Sequence, residues 1–382
     1  MDYPRLLPAP RRSSFLFGPR GTGKSSWARA HFASAARFDL LDEALYHRLL
    51  ADPGEFAGEL RDLAPGSWVV VDEIQRLPGL LNEVHRFIEE RRLKFLMLGS
   101  SARKLKTAGT NLLAGRAGAL ELHPFVPVEL GADFDLEQAL RYGTLPLVWS
   151  SEDRRAALQA YVQMYLFQEV RAEALVRNLP GFVRFLPLAA LFHGQTLNVS
   201  SLARDAGTAR TTVVGYVEIL EETLLARRLP AFEGRLRVRE KKHPKLYWVD
   251  PGLARAARRQ LGSVTQEERG FLLEGFVLTT LYAHAGVSEL FDELHYWSPA
   301  EAKLEVDFLL TRGRKHLALE IKSGKRVDPD MLAGLRAVDG LKGLERRILV
   351  HAGDRRMRTP DGIELWPVAA LFESLEAGTL WP

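Results

Sequence analysis

The stretch Ser13-Ser-Phe-Leu-Phe-Gly-Pro-Arg-Gly-Thr-Gly-Lys-Ser-Ser26 places a short apolar run directly before a glycine-rich segment that ends in Gly-Lys-Ser. The spacing Gly-x-x-x-x-Gly-Lys-Ser predicts a phosphate-binding loop between a β-strand and an α-helix. Glycines allow turns in which successive N–H groups face phosphate oxygens. A chance glycine-rich turn is the alternative, and the Gly-Lys-Ser ending argues against it. The stretch therefore predicts an α/β fold with a parallel sheet and a site for a nucleoside triphosphate, ATP.

The loop residues have separate predicted roles. Lys24 reaches the outer phosphates as a point charge, and the Ser25 hydroxyl enters the coordination shell of Mg²⁺. The helix that begins near Lys24 adds the positive end of its dipole. We expect the ATP phosphates to contact the whole loop, which consists of Gly18, Pro19, Arg20, Gly21, Thr22, Gly23, Lys24, Ser25 and Ser26.

A second apolar run, Trp68-Val-Val-Val-Asp-Glu-Ile-Gln75, ends in two acids. Its β-branched residues predict a strand buried on both faces, as in a parallel sheet. Beside a phosphate-binding loop, Asp72 is predicted to hold Mg²⁺ as the Walker B carboxylate, and Glu73 to orient the attacking water. The alternative is that the two acids cap the next helix.

A third strand, Lys94-Phe-Leu-Met-Leu-Gly-Ser-Ser101, ends in hydroxyls. The block so far resembles ATPases of the AAA+ type, in which a polar residue at this strand end senses the γ-phosphate. The resemblance makes Ser100 or Ser101 the candidate sensor, although either serine could instead cap a following helix. Arg116 lies on a glycine-flanked segment. It is a candidate arginine finger for a neighbouring subunit's nucleotide, or an ordinary surface arginine.

Composition limits the class of protein. The chain has 382 residues, 46% of them hydrophobic, which is enough for two or three domains with real cores. It contains no run of eighteen apolar residues and begins without the apolar core of a signal peptide. The absence of cysteine excludes disulfides and thiolate chemistry and fits a cytoplasmic location without membrane contact. A net charge of +4 permits a nucleic-acid partner.

Turn motifs divide the chain into predicted domains. Strands alternate with helical stretches at first, and Gly143-Thr-Leu-Pro146 and Asn178-Leu-Pro-Gly181 then interrupt the pattern. We predict an AAA+ ATPase domain with a helical segment at 1–178, a winged-helix domain at 179–260 and an α/β nuclease-like domain at 261–382.

The middle block contains a predicted helix-turn-helix at 198–220. Ser200 is expected to cap the first helix, and Gly207 supplies the turn. Val213, Val217 and Leu220 form the apolar stripe of the second helix. The exposed leading end of that helix, where a reading helix meets the major groove of DNA, carries Arg210, Thr211 and Thr212.

A basic stretch with alternating side chains follows the second helix. As the wing of a winged helix it would contact DNA phosphates, and each contact would make binding more sensitive to salt. The alternative is a solvated hairpin on a module that serves only packing between domains. The basic residues are Arg235, Arg237, Arg239, Lys241 and Lys242.

The last block carries a second candidate site. Two strands are predicted on either side of Arg312-Gly-Arg314, and Glu320 and Lys322 share one face because they are two residues apart. Asp307 on the partner strand can meet them, and Glu274 on the preceding helix can add a third acid. The set resembles the PD-(D/E)xK nuclease core, in which such residues bind Mg²⁺ and activate water. The alternative is an inactive remnant held together by ion pairs.

The order of these motifs resembles the prokaryotic AAA-type ATPases that carry a C-terminal DUF4143 region. The shared features include Val-Asp-Glu-Ile-Gln, Ala-Gly-Arg, Gly-Thr-Leu-Pro, the helix-turn-helix, and Lys245-Leu-Tyr-Trp-Val-Asp-Pro-Gly-Leu253. One departure is Gln168-Glu-Val170, where the family commonly has aspartate before isoleucine. The resemblance implies an ATPase module, a winged helix and a nuclease-like domain in one chain.

These features together predict an oligomeric AAA+ ATPase, a ring such as a hexamer, that uses ATP hydrolysis to move or remodel DNA. Branched DNA such as a four-way junction is the expected substrate. Two alternatives stay open: an ATP-dependent signalling or regulatory switch without motor activity, and an ATP-dependent, metal-dependent DNA nuclease.

Overall fold

Residues 3–100, 115–166, 178–234, 243–300 and 304–382 are described by a computed structural model. Their contacts define two units. The N-terminal unit comprises Leu7–His123 with Glu222–Leu225, and the C-terminal unit comprises Met1–Leu6, Pro124–Glu221 and Ala226–Pro382. The domain boundaries expected after residues 178 and 260 stay predictions.

A parallel sheet with strand order β2-β3-β4-β1-β5 forms the N-terminal unit. This arrangement confirms the predicted α/β fold with a parallel sheet. The strands are β1 Ser14–Phe17, β2 Ala36–Asp39, β3 Trp68–Asp72, β4 Lys94–Gly99 and β5 Gly118–Glu121. The helices are α1 Lys24–His31, α2 Glu43–Ala51, α3 Pro53–Arg61 and α4 Leu80–Arg91, with a short 3-10 turn at Ile74–Arg76.

The central strands β1, β3 and β4 are apolar on both faces because both faces are buried. Phe15 and Val69 join one core cluster with side chains of α2, α3 and α4, while Leu16 and Val70 are buried on the opposite face. A two-sided core explains why these strands are continuous apolar runs without polar alternation. In these three strands the polar residues are confined to the strand ends, where a ligand can reach them.

The middle of the chain, in the C-terminal unit, is mostly helical. Three short strands form an antiparallel sheet in the order β6-β8-β7. The strands are β6 Gln195–Thr196, β7 Ala226–Leu229 and β8 Lys245–Trp248. The helices are α5 Pro127–Leu130, α6 Leu136–Tyr142, α7 Pro146–Trp149, α8 Arg154–Ala160, α9 Leu179–Leu191, α10 Val199–Asp205, α11 Arg210–Glu222 and α12 Pro251–Ala257, with a π-helical turn at Tyr161–Leu166.

The cap of α10 corrects one expectation. Ser200 was expected to cap this helix, but the helix already begins at Val199, so Ser200 lies inside its first turn. Asn198 is the cap, because its side-chain oxygen accepts a hydrogen bond from the Ser201 N–H at 3.0 Å. Asparagine is as good an N-cap as serine.

The last part of the C-terminal unit is a mixed sheet with strand order β13-β14-β12-β11-β10-β9. The expected hairpin is observed, with Gly313 at φ +61° between β10 and β11. The strands are β9 Glu293–Trp297, β10 Val306–Arg312, β11 Lys315–Lys322, β12 Leu344–His351, β13 Met357–Arg358 and β14 Glu364–Pro367. The helices are α13 Gln266–Ala285, α14 Ala333–Ala337 and α15 Val368–Glu376.

Helix α13 is buried along most of its length against this sheet. Phe276 and Val277 cluster with Phe308 and Leu319 of the strands. Because α13 is covered so widely, it is apolar around much of its circumference, and two of its acids, Glu268 and Glu274, are buried. No helix in the described ranges has both the length and the apolar character that crossing a membrane requires.

Two motifs that are far apart in sequence meet in the C-terminal unit. The buried Asp250 caps α12 by accepting from the Leu253 N–H at 3.0 Å, and its second oxygen accepts from the N–H groups of Thr144 and Leu145 at 2.7 and 3.1 Å. Gly143 has φ +74° and ψ −177°, and a Cβ there would overlap the Asp250 carboxylate. The approach of these motifs requires glycine at 143.

Candidate functional site

The phosphate-binding loop has the backbone that its glycines predict. Gly21 and Gly23 have φ of +80° and +84°, a region that residues with a Cβ rarely adopt. A Cβ on Gly18 would overlap the carbonyl oxygen of Leu122. These glycines let the loop pass closely from the end of β1 to the beginning of α1.

The side chain of Lys24 folds back onto the loop. Its ammonium donates to the carbonyl oxygens of Gly18 at 2.6 Å and Pro19 at 3.1 Å, and the residue is buried. Thr22 closes the same turn, since its hydroxyl donates to the Pro19 carbonyl at 2.8 Å. Arg20 and Ser26 are exposed at the two sides of the loop. A buried ammonium close to the phosphate-binding backbone can also bind an anionic group such as a phosphate.

Two acids at the end of β3 lie in the environment of this lysine. The Ser25 hydroxyl hydrogen-bonds to the Asp72 carboxylate, and burial raises the pKa of Asp72. Burial also raises the pKa of Glu73, and the charge of Lys24 opposes that rise. Glu73 has φ +54°, which is unusual for a residue with a side chain and indicates local strain. The structure thus brings together the loop and both predicted acids.

Gln75 is a functional candidate to which the sequence assigned no role. Its amide nitrogen donates to the Glu73 carboxylate and, at 3.3 Å, to the Ser100 hydroxyl. Its amide oxygen has no hydrogen-bond partner in the described part of the chain, although the residue is only 4% exposed. The available signal was a polar residue two positions after Glu73, close to the end of a strand that already carries two acids. Ser101, the alternative sensor, lies outside the described residues.

Arg116 is not part of this cluster. It pairs with Glu89 of α4, and its side chain is 40% exposed. An arginine finger lies on the surface of its own subunit, and this role of Arg116 stays a prediction.

In the second helix of the predicted helix-turn-helix, the apolar residues are buried and most of the polar residues at its start are exposed. Arg210 and Thr211 are exposed at the start of α11, and Thr212 is half-buried. Val213, Val217 and Leu220 are buried. The five basic residues predicted for the wing, Arg235, Arg237, Arg239, Lys241 and Lys242, lie outside the described residues.

The second candidate site is assembled around a cavity of about 380 Å³ in the C-terminal unit. All four residues predicted for it line this cavity, namely Glu274, Asp307, Glu320 and Lys322. Lys322 pairs with Glu320, and an Asp307 oxygen accepts from the Ile321 N–H at 2.8 Å. The other Glu320 oxygen has no partner among the described residues.

Three further residues of this cavity region were missed by sequence reasoning. Glu305 belongs to the same acidic cluster, and Lys245 and Tyr247 reach it from β8. Their alternation in Lys245-Leu-Tyr247 was a usable signal, because strand residues two apart share a face. Burial, and then the charge of Asp307, raises the pKa of Glu274 to about 7. Burial also raises the pKa of Glu320.

Comparison with protein families gives three matches in chain order. Residues 10–130 match an AAA domain. Residues 133–264 match a domain of unknown function, DUF8612, and residues 269–371 match another, DUF4143. The first and last matches confirm the AAA and DUF4143 parts of the resemblance. The AAA match, on a sheet that carries a phosphate-binding loop, points to an ATP-binding and ATP-hydrolysing enzyme.

Comparisons with individual proteins add relatives. An uncharacterized protein of Mycobacterium tuberculosis is 27% identical over 362 residues, which cover 92% of this chain and 79% of that protein, and a protein of Mycobacterium bovis gives the same values. Similar solved structures include the Aeropyrum pernix ORC1 protein in complex with DNA, at 16% identity, TM-score 0.25 and coverage of 66% and 87% of the two chains. Another is the replication initiator DnaA bound to AMPPCP and single-stranded DNA. It has 14% sequence identity and a TM-score of 0.28, and the match covers 55% of this chain and 82% of that chain.

Proposed function

We propose that the chain is an oligomeric AAA-type ATPase that couples ATP hydrolysis to the binding and remodelling of DNA. The strand order of the N-terminal sheet carries the ATPase part. Because β4 lies between β1 and β3, the loop after β1, the acids after β3 and Ser100 after β4 share one edge of a parallel sheet. Lys24, Asp72, Glu73 and Ser100 therefore surround one position for a triphosphate.

The chemistry of the donor set fits Mg²⁺ with ATP. Ser25 and Asp72 would hold the ion, since they offer a hydroxyl and a carboxylate that already hydrogen-bond to each other. When bound, the ion neutralises charge on the phosphates. Glu73 orients the attacking water, Lys24 binds the outer phosphates, and Ser100 contacts the γ-phosphate. The amide nitrogen of Gln75 hydrogen-bonds to both Glu73 and Ser100 and so fixes their positions relative to each other.

The DNA part of the proposal rests on the middle of the chain. Helices α10 and α11 and the sheet β6-β8-β7 follow the order expected of a winged helix, with Arg210 and Thr211 exposed at the start of the second helix. The net charge of +4 favours an anionic partner. We extend the proposal to a ring, such as a hexamer, that acts on branched DNA.

ATP turnover measured with and without DNA tests both parts. We expect duplex, single-stranded or four-way-junction DNA to raise turnover at low salt, with the largest effect from the junction. Lys24→Ala should lower turnover about a hundredfold or more while leaving the fold intact. Arg210→Ala should keep the basal turnover and weaken its response to DNA, whereas Arg155→Ala, an exposed arginine on α8, should change neither.

Each alternative corresponds to a different result. Turnover that ignores every DNA, together with no DNA binding at low salt, would refute the DNA part and favour a signalling or regulatory switch. Cleavage of DNA in Mg²⁺ that is lost in Asp307→Ala would favour the nuclease. Normal turnover in Lys24→Ala would refute the assignment of ATP hydrolysis to this loop.

A further inference from the structure

The acidic cluster of the C-terminal unit has the geometry of a cation site. Carboxylate oxygens of Glu274, Glu305 and Asp307 all lie within 4.8 Å of one another. Three converging carboxylates are the oxygen ligands that divalent cations prefer, and without a cation they would repel one another strongly. A positive charge at the centre of the cluster would stabilise the three ionised carboxylates.

The chain itself supplies that charge. The ammonium of Lys245 lies 2.8 Å from a Glu274 oxygen and 3.4 Å from an Asp307 oxygen, and it also pairs with Glu305. Its side chain is only 3% exposed. One ammonium thus contacts all three carboxylates from the position that a shared metal ion would take.

Neighbouring residues hold the Lys245 side chain in this position. Lys245 begins β8, in the part of the chain that matches DUF8612, and the three acids belong to the part that matches DUF4143. Tyr247, on the same face of β8, donates its hydroxyl to Glu274. The ring of Tyr296 stabilises the ammonium by a cation–π contact, with the Lys245 nitrogen 5.5 Å from the ring centre.

We propose that Lys245 is the resident cation of this cluster and that it excludes a divalent metal from the carboxylates of Glu274, Glu305 and Asp307. An ammonium in contact with all three ligands both fills the space of the ion and repels its charge. The cluster then acts as an ion-pair anchor that joins β8 to α13 and β10, and the cavity has no metal-activated water at this position.

Binding of Mn²⁺ tests the proposal. The measurement uses the full chain without nucleotide, in an Asp72→Asn background so that ions near the phosphate-binding loop are not counted. In the protein that retains Lys245, which we call the Lys245 protein, we expect no stoichiometric binding of Mn²⁺. Calorimetry and the electron paramagnetic resonance signal of the free ion measure this binding. Lys245→Ala should bind one Mn²⁺ ion with an affinity at least about a hundredfold higher than that of the protein that retains Lys245. Adding Glu305→Gln to that variant should remove the gain.

A matched lysine controls for general charge effects. Lys315→Ala removes an exposed ammonium that pairs with Glu345 on the same sheet, and it should gain no Mn²⁺. If Lys245→Ala does not fold, Lys245→Met keeps the length of the side chain and replaces it in the same titration. If neither variant folds, the titration of the Lys245 protein decides, and the absence of bound ion supports the proposal. One bound ion that is lost in Asp307→Asn would overturn the proposal, as would a folded Lys245→Ala without any gain.

Discussion

Gly143→Ala and Gly215→Ala make the same chemical change at two positions of the C-terminal unit, and we expect opposite effects on the free energy of unfolding. Gly143 has φ +74°, and a Cβ there would overlap the Asp250 carboxylate. Gly215 lies inside α11, and a Cβ there would meet nothing within 4 Å. The two glycines thus differ in backbone conformation and in surrounding space.

The magnitudes follow from these local contacts. Forcing alanine into a glycine-only backbone region costs about 1–3 kcal/mol. Displacing the Asp250 side chain weakens three hydrogen bonds to backbone N–H groups, each worth about 1 kcal/mol. We therefore expect Gly143→Ala to lower the free energy of unfolding by about 4–6 kcal/mol. Gly215→Ala should raise it by about 0.5–1 kcal/mol, because alanine is the better helix former.

Urea unfolding near neutral pH, followed by circular dichroism, measures both variants. The entropy that the unfolded chain loses on replacing glycine by alanine is the same in each, so it cancels when the two variants are compared. A Gly143→Ala protein within about 1 kcal/mol of the parent would refute the reasoning. So would a Gly215→Ala protein that is destabilised as much as Gly143→Ala.

Three further predictions concern single side chains. Glu73→Gln should retain ATP binding and lower hydrolysis about a hundredfold, measured by nucleotide binding beside turnover, and full turnover would contradict the role of Glu73. Gln75→Leu should lower turnover about tenfold with unchanged ATP affinity, because the hydrogen bonds from Gln75 to Glu73 and Ser100 are lost; a pure loss of affinity would argue against it. Burial raises the pKa of Asp250 to about 6, so the folded state binds this proton more tightly than the unfolded state does. As the pH rises from about 4 to about 6, the free energy of unfolding should therefore fall by about 3 kcal/mol. Relative to Asp250→Asn, that slope should be visible in urea unfolding across this interval, and equal slopes in the two proteins would contradict it.

The N-terminal sheet could be predicted closely because its signals are local. The strands at Phe15, Val70 and Leu96 are apolar runs, and each ends in residues whose chemistry suits a phosphate or a metal ion. The order of the strands was not readable from spacing, since it depends on how the helices cover both faces. Gln75 was missed for the same reason: its contact with Ser100 exists only because β4 lies beside β3.

The second candidate site was only half predictable. Asp307, Glu320 and Lys322 follow from the two-residue period of adjacent strands, and Glu274 from an acid on an apolar helix. Lys245 comes from a strand more than sixty positions earlier in the chain than Asp307, at a sequence separation of 62. The alternation in Lys245-Leu-Tyr247 could place Lys245 and Tyr247 on one face of a strand, but no period connects them to Asp307, so their contact with the acids follows from tertiary packing.

The ion pairs of Lys245 have a practical consequence for dividing the chain. A fragment that ends near residue 264 would carry this lysine without its three acids, and the complementary fragment would carry the acids without a cation. Each fragment would lose these ion pairs and would expose to water the surfaces of β8, α13 and β10 that carry them. The boundary between the two domains of unknown function is therefore a poor place to cut, and fragments that include residues 243–382 are better starting points for isolating the acidic cavity.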